Sequence, residues 1–190
     1  GIMALVAARH LRHREMEFIF NKVGNAAGYA IPWKFGGFDY FQMYQEIKPN
    51  VPPVRHLIVS GGTVPEGAIS LKGLLAEPLE QPYPPSYLKG QKFPATDTSL
   101  IVHTTGTTGM PKLVELAACS RLCQGREWVK TMALTGEDVM GMFIPAPAGP
   151  NTPFYYGAPY IGAKVVIMER FDAEESLKLI QRERITFATF

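Results

Sequence analysis

The sequence predicts an α/β fold in which strands and helices alternate and form parts of two mainly parallel sheets. Short apolar runs, such as Tyr29-Ala30-Ile31 and Leu57-Ile58-Val59, have the length of buried strands. The stretches between them carry apolar residues at helical spacing. Because the links between these runs are short, the pattern favours parallel strands with helices on the faces of the sheet.

The N-terminal part begins with an apolar stretch, residues 2–8, which predicts a buried strand. A helix follows, and Gly24 is placed to end it. His10 and His13 lie with two arginines at the start of this helix, where a hydrated helix end is favoured over a metal site. The apolar face of the helix is predicted from spacing to be Met16, Ile19, Phe20 and Val23.

Two Gly-Gly pairs separate the next elements. Gly36-Gly37 leads into a second amphipathic helix at 40–47, and Gly61-Gly62 turns the chain after the strand at 57–59. We interpret both pairs as turns, because neither is followed by a convincing lysine or helix cap.

Residues 76–96 are rich in proline, which is excluded from helix interiors and central strands. The predicted organisation is therefore a partial α/β lobe at 1–75, a proline-rich connector at 76–96, and a second partial α/β lobe at 97–190.

In the second lobe, residues 113–116 are predicted to pair back on the preceding strand as a hairpin. Cys119 and Cys123 are expected to pack as small apolar groups in the following helix rather than to form a disulfide. The last helix carries Leu177, Leu179 and Ile180 as its apolar residues. Helices are predicted at 117–132 and 173–184, and strands at 139–144, 164–168 and 185–190.

The most informative stretch is 103–112, His-Thr-Thr-Gly-Thr-Thr-Gly-Met-Pro-Lys, directly after the apolar run 100–102. A strand that ends in a Gly/Thr loop leaves several N–H groups pointing one way, which suits a polyphosphate. Gly106 and Gly109 allow close approach of a phosphate, and Lys112 adds a positive charge. The spacing excludes a Walker A loop. From the residues alone, a flexible hairpin loop with a solvated lysine remains the alternative.

Residues 104–112 resemble the phosphate-loop signature of the adenylate-forming enzymes, which include acyl- and aryl-CoA synthetases, adenylation domains of peptide synthetases, and luciferases. The usual form is Thr-Ser-Gly-Thr-Thr-Gly-x-Pro-Lys, and Thr105 replaces its serine while keeping the hydroxyl. Asp97 also falls where the family commonly has an acidic residue. The resemblance implies that the ATP phosphates are bound by Thr104, Thr105, Gly106, Thr107, Thr108, Gly109 and Lys112.

A looser resemblance covers the first third of the chain. Arg12-His13-Arg14-Glu15, Ile31-Pro32 and the stretch 37–40 are similar to synthetases that act on aryl, alicyclic or medium-chain acids. This likeness implies the fold but assigns no catalytic or binding role to these residues.

Residues 145–157 combine prolines, small residues and three aromatics, which is typical of the wall of an acyl pocket, although a loop that merely covers the sheet has the same composition. The family often has Pro-x-x-His-x-x-Gly in this stretch. Here Pro150 stands in place of the histidine and is followed by Asn151 and Thr152, which become candidate substrate-pocket residues. After the phosphate loop, Ala117-Ala118 replace the Thr-His of many members.

The resemblance implies an AMP-forming acid–thiol ligase that uses ATP, Mg²⁺ and coenzyme A. The carboxylate attacks the α-phosphorus of ATP, and the acyl-adenylate then passes its acyl group to the thiol. The family's Tyr-Gly-x-Thr-Glu segment, its ribose-binding aspartate and its late catalytic lysine do not occur in these 190 residues. We therefore expect a piece of the large N-terminal domain of such an enzyme, with no catalytic or metal-binding residue of its own, inactive without the remainder of the chain.

Two other hypotheses remain open at this point. One is a noncatalytic ATP-binding remnant or interaction module, and the other is a structural α/β domain with an incidental Gly/Thr loop. The net charge of +2 and the scattered basic residues give no nucleic-acid surface. With 46% hydrophobic residues and no membrane-length apolar run, a cytoplasmic protein without a membrane span is expected, and a homodimer is a further expectation.

Overall fold

The computed structural model describes residues 4–5, 10–90, 93–104, 109–144 and 151–190. Among these residues the strands form three three-stranded sheets and a two-stranded ladder. The strands are β1 (Ala4–Leu5), β2 (Gly28–Pro32), β3 (Lys34–Phe35), β4 (Phe38–Asp39), β5 (His56–Ser60), β6 (Ile69–Ser70), β7 (Thr98–His103), β8 (Leu113–Ala117), β9 (Val139–Met142), β10 (Lys164–Ile167) and β11 (Phe187–Thr189). The helices are α1 (His13–Val23), α2 (Tyr40–Ile47), α3 (Leu71–Ala76), α4 (Ala118–Thr131), α5 (Ala158–Ile161) and α6 (Ala173–Glu183), with a 3₁₀ turn at Lys48–Asn50 and a π-helical turn at Pro153–Gly157.

The described residues group into two compact units. One is built from residues within 1–8, 93–103 and 113–190, and the other from 9–92 and 104–112. The N-terminal strand β1 pairs with β7 and so belongs to the first of these units. The lobe boundaries expected from the sequence, 1–75, 76–96 and 97–190, stay a prediction.

The unit at 9–92 contains a parallel sheet in the order β2-β5-β6, which confirms the parallel pairing expected from alternating strands and helices. Helix α1 buries Met16, Ile19 and Phe20 of the predicted face, whereas Val23 is only half-buried. Gly24 ends the helix in the left-handed conformation. The Phe20 ring meets Tyr29 of β2 edge-on, with ring centroids 5.0 Å apart. Aromatic packing of this kind adds to the apolar contact between helix and sheet.

The start of α1 is not simply hydrated. His13 Nε2 lies 2.6 Å from the Glu46 carboxylate of α2, and the Arg12 guanidinium lies 4.0 Å from the centre of the Phe38 ring. Helix α2 begins at a side-chain cap, where Gln42 N–H donates to Asp39 Oδ1 at 2.8 Å. The basic residues at this helix start therefore join α1 to the α2 region.

The glycine pair at 61–62 forms a turn, as predicted, since both residues have positive φ. The connector carries no helix or strand between Glu77 and Gly90, and all of its side chains in that range are exposed. These observations agree with the high proline content of the segment.

The second unit contains the predicted hairpin, in which β7 and β8 pair antiparallel and β1 lies parallel on the other side of β7. The other sheet is fully parallel, in the order β10-β9-β11. Its core is formed by four buried residues, Met140, Met142, Phe154 and Ala158. Helix-forming segments after β9 and β10 thus return the chain to the same sheet, which is the arrangement that β–α–β connections favour.

Several expectations from the sequence need correction. Strand β9 ends at Met142 and does not reach residue 144, and β11 covers only Phe187–Thr189. On α6 the buried residues are Ser176 and Leu179, whereas Leu177 is 67% exposed. Residues three or four apart lie on the same face of a helix, whereas residues two apart do not. Because Leu179 faces the interior, Leu177 therefore lies on the solvent face. Both cysteines are free thiols, but Cys123 is exposed and does not pack as predicted.

Candidate functional site

The β7–β8 hairpin places the two ends of the predicted phosphate loop side by side. His103 pairs with Leu113 at the end of the ladder. One residue further, the Thr104 N–H donates to the Lys112 carbonyl at 2.9 Å. Residues 104 and 112 therefore lie side by side, one residue beyond the end of the ladder.

A second hydrogen bond ties the same two residues. The Lys112 N–H donates to Thr104 Oγ1 at 3.1 Å. Both residues are exposed, so a threonine and a lysine side chain at the ends of the loop are accessible to solvent. Hydroxyl and ammonium donors of this kind suit an anion.

The returning arm of the loop has a backbone that favours glycine. Gly109 has a φ of 148°, a conformation that L side chains rarely adopt, and beyond its chain neighbours no atom of the described residues lies within 4 Å of where its Cβ would be. Pro111, two residues later, is buried and fixes the arm before Lys112. The predicted amide and hydroxyl donors Thr105, Gly106, Thr107 and Thr108 lie outside the described residues, so their phosphate role stays a prediction.

Two of the candidate substrate-pocket residues are packed in the interior of their unit. Asn151 is 0% exposed and its Nδ2 donates to the Ile144 carbonyl at 3.4 Å. Thr152 is 5% exposed, and its Oγ1 accepts from Arg121 Nη1 at 3.4 Å. Pro150, the third candidate, lies outside the described residues. The phosphate-loop residues and this pair belong to different units, and the pocket role of all three candidates stays a prediction.

The segment that follows Thr152 is helical and turns through the π-helical Pro153–Gly157 into α5. Its three aromatics face different surroundings: Phe154 is buried in the sheet core, Tyr156 is half-buried, and Tyr155 is 46% exposed. Partial burial raises the pKa of the Tyr155 hydroxyl above its ordinary value. A π-helical turn shifts the register of a helix and often marks a functional site.

Sequence reasoning missed the residues that connect this segment to α4. Arg121 reaches Thr152, and Gly125 lies against Tyr156 and Gly157. A glycine inside a helical pattern can indicate a close approach of two backbones. Gly125 is such a glycine and could have been recognised from the sequence. The arginine had no comparable signal, because one basic residue on an amphipathic helix is ordinary.

An apolar cleft of about 430 Å³ opens on the same unit. Ala118 lies in its wall, at the position where the family resemblance places a histidine, and contributes only a methyl group. The lining residues are Ala4, Phe93, Ser99, Leu100, Ala118, Leu122 and Tyr156.

In the part of the chain that the structure describes, no group of three or more histidine, cysteine, aspartate or glutamate side chains could hold a metal ion. Within the same residues, no helix is both long and apolar enough to cross a membrane.

Comparison with known proteins decides the family. The model of the AMP-binding enzyme family matches residues 1–190, which is the whole chain. This chain belongs to the AMP-binding enzyme family. The resemblance read from the phosphate loop is thereby confirmed.

Relatives and structures agree with this assignment. Triostin synthetase I of Streptomyces triostinicus is 31% identical over 192 residues, which cover 100% of this chain and 33% of the relative. The 2,3-dihydroxybenzoate-AMP ligase of Bacillus subtilis (strain 168) is 27% identical over 177 residues, covering 92% of this chain and 31% of the relative. The crystal structure of the anthranilate CoA ligase AuaEII with anthranoyl-AMP superposes with a TM-score of 0.78 at 19% identity, covering 98% of this chain and 34% of that one. The chain thus has the fold of these ligases and spans about a third of the length of the curated relatives it matches.

Proposed function

We propose that this AMP-binding chain is part of an ATP-dependent carboxylic acid–CoA ligase that activates an aryl, alicyclic or medium-chain fatty acid as an acyl-adenylate. The observation that carries the proposal is the signature loop closed by Thr104 and Lys112 at the tip of the β7–β8 hairpin. The aryl-acid names among the relatives support the aryl class.

The chemistry of activation explains why such a loop is needed. A carboxylate is a poor acyl donor because its leaving group would be oxide. When a carboxylate oxygen attacks the α-phosphorus of ATP, the bond to the β-phosphate oxygen breaks and pyrophosphate leaves. The acyl group then carries AMP as its leaving group and passes to the thiol of coenzyme A.

The role proposed for this chain is to hold the leaving pyrophosphate. The threonine hydroxyls at 104, 105, 107 and 108 and the amides at Gly106 and Gly109 donate hydrogen bonds to the β- and γ-phosphates, and Lys112 supplies charge. When bound with ATP, Mg²⁺ would neutralise part of the phosphate charge. Such preorganised donors stabilise charge that develops in the transition state. Catalytic groups come from the remainder of the synthetase chain, and a cytoplasmic location and a homodimer remain predictions.

The substrate side of the proposal rests on Pro150, Asn151 and Thr152 and on the aromatic turn after them. Phe154 packs into the sheet, so this segment is anchored on a rigid element rather than on a loose loop. A pocket wall held in this way can select an acid by shape. A panel of aryl, alicyclic and medium-chain acids in ATP–pyrophosphate exchange identifies the preferred class.

The phosphate assignment is tested with Lys112→Ala in the full-length protein. Removing an ionised donor from a phosphate costs about 1.5–3 kcal/mol, so we expect Mg-ATP to bind about 10- to 100-fold more weakly. Isothermal titration with Mg-ATP measures the affinity directly. Lys130→Ala, at an exposed position on α4, is the matched control and should leave the affinity unchanged. Equal affinity of the Lys112→Ala variant and the wild type would contradict the assignment.

A further inference from the structure

Helix α4 and the segment at 151–161 touch backbone to backbone. A Cβ built on Gly125 would lie 2.6 Å from Tyr156 Cβ and 2.9 Å from the Gly157 nitrogen. A Cβ built on Gly157 would in turn lie 3.1 Å from the Gly125 carbonyl oxygen. Only glycine fits at such a distance without moving one of the two elements. This contact fixes the later part of the segment against α4.

One helical turn before Gly125, Arg121 makes a second contact with the same segment. Its Nη1 donates to Thr152 Oγ1 at 3.4 Å, at the start of the segment. Its Nε is buried and has no hydrogen-bond acceptor among the residues that the structure describes. A buried guanidinium nitrogen without a hydrogen-bond partner is costly. The hydrogen bond to the Thr152 hydroxyl therefore contributes more free energy here than it would on the surface.

The neighbour of Thr152 is held by a different part of the chain. Asn151 is fully buried, and its side-chain amide donates to Ile144, beyond the end of β9. The pair at 151–152 is therefore fixed by α4 and by the chain after β9. The described residues of the phosphate loop take no part in these hydrogen bonds.

We propose that Arg121 is a positioning residue for acid recognition: through Thr152 it sets the placement of the substrate-pocket segment that begins at Asn151. The inference rests on the proposed ligase function, because only a ligase has an acid to place. According to this inference, helix α4, which lies outside both predicted sites, influences how tightly the carboxylic acid binds. Because the network excludes the described loop residues, its loss affects the acid and leaves ATP binding unchanged.

The test uses the full-length protein in acid-dependent ATP–pyrophosphate exchange, with separate KM values for the acid and for ATP. Arg121→Met keeps the length of the side chain without its donors, and Thr152→Val keeps the shape without the hydroxyl. We expect each variant to raise the acid KM about tenfold and to leave the ATP KM within about twofold. The double variant should be no worse than either single one, because both remove the same interaction. Arg121→Lys, which keeps the charge, should restore part of the acid affinity.

Arg126→Met is the matched control, because Arg126 lies on the same helix, is exposed, and forms an ion pair with its neighbour Glu127. It should change neither KM value. An unchanged acid KM in Arg121→Met, an equal rise in both KM values, or additive effects in the double variant would overturn the inference while leaving the ligase function standing. A wild-type protein that shows no exchange with any acid would instead overturn the proposed function, and the inference with it.

Discussion

Single residues join elements that lie far apart in the sequence, and Asp138 shows how. Its Oδ2 accepts the Thr135 N–H at 2.7 Å, and its Oδ1 accepts the Thr186 hydroxyl at 2.7 Å. Thr186 Oγ1 also accepts the Val139 N–H at 3.1 Å, so the starts of β9 and β11 are tied through one carboxylate. The Thr135 N–H, followed by the Thr186 hydroxyl, holds the pKa of Asp138 below its ordinary value.

Asp138→Asn is predicted to destabilise the fold by about 1 kcal/mol at pH 7, since it removes charge-assisted hydrogen bonds from a partly exposed site. Because the folded-state pKa is lowered, the stabilisation is complete above the unfolded pKa of about 4 and is lost as the pH falls through the folded value. Urea unfolding should therefore show a wild-type advantage at pH 7 that shrinks towards pH 3. Glu137→Gln, at the exposed neighbouring position, serves as control. An advantage that does not depend on pH would argue against the carboxylate as its source.

At the scale of elements, the contact between α4 and the π-helical turn orders the candidate acid-binding segment. Gly125 and Gly157 let the two backbones approach, and Val129 of α4 packs on Gly157. Phe154 and Ala158 of the same segment pack on the other side against β9. The segment is thus held between α4 and the parallel sheet, which is why its start can be positioned accurately.

Gly125→Ala is predicted to destabilise the fold even though alanine is the better helix former. The propensity gain is about 1 kcal/mol, whereas overpacking against the Tyr156 backbone costs about 1–3 kcal/mol and displaces the π-helical turn. Thermal unfolding measures the net effect, and the acid KM reports the displacement. Gly90→Ala is the control and should not lower the melting temperature, because among the described residues no atom beyond the chain neighbours lies within 4 Å of the added Cβ. A Gly125→Ala variant more stable than wild type would show that the backbones are not in contact.

At the scale of the whole molecule, β10 and β11 of the parallel sheet each pair with β9 on one edge, and within the part that the structure describes their outer edges have no partner strand. Three large apolar side chains are exposed around it, namely Ile167 at 64%, Phe171 at 57% and Phe190 at 68%. Exposed apolar groups beside open strand edges promote association.

The 190-residue chain produced alone is therefore predicted to self-associate and to lack acid-dependent ATP–pyrophosphate exchange, because it contains none of the family's later catalytic segments. Size-exclusion chromatography with light scattering measures the first effect, and the exchange assay measures the second. Phe171→Gln should reduce the association by removing one of the exposed rings. A stable monomer with exchange activity would contradict both parts.

The sequence by itself determined the local features of this protein. Helical spacing located α1 through Met16, Ile19 and Phe20, and apolar runs located β2 and β5, because these patterns depend on neighbours along the chain. The loop signature led to the family for the same reason, since residues 104–112 are contiguous. Listing the apolar residues of α6 did not separate its two faces: Leu179 is buried, whereas Leu177 is exposed.

Only the tertiary structure decided which distant residues meet. Strand β1 pairs with β7, Arg121 reaches Thr152, and Gly125 packs on Gly157, and in each case the partners are far apart in the chain. No periodicity encodes such pairs, because their free energy depends on how helices and sheets pack after each has formed. The family could therefore be predicted from ten contiguous residues, whereas the packing that supports the candidate acid-binding segment became visible only in the folded chain.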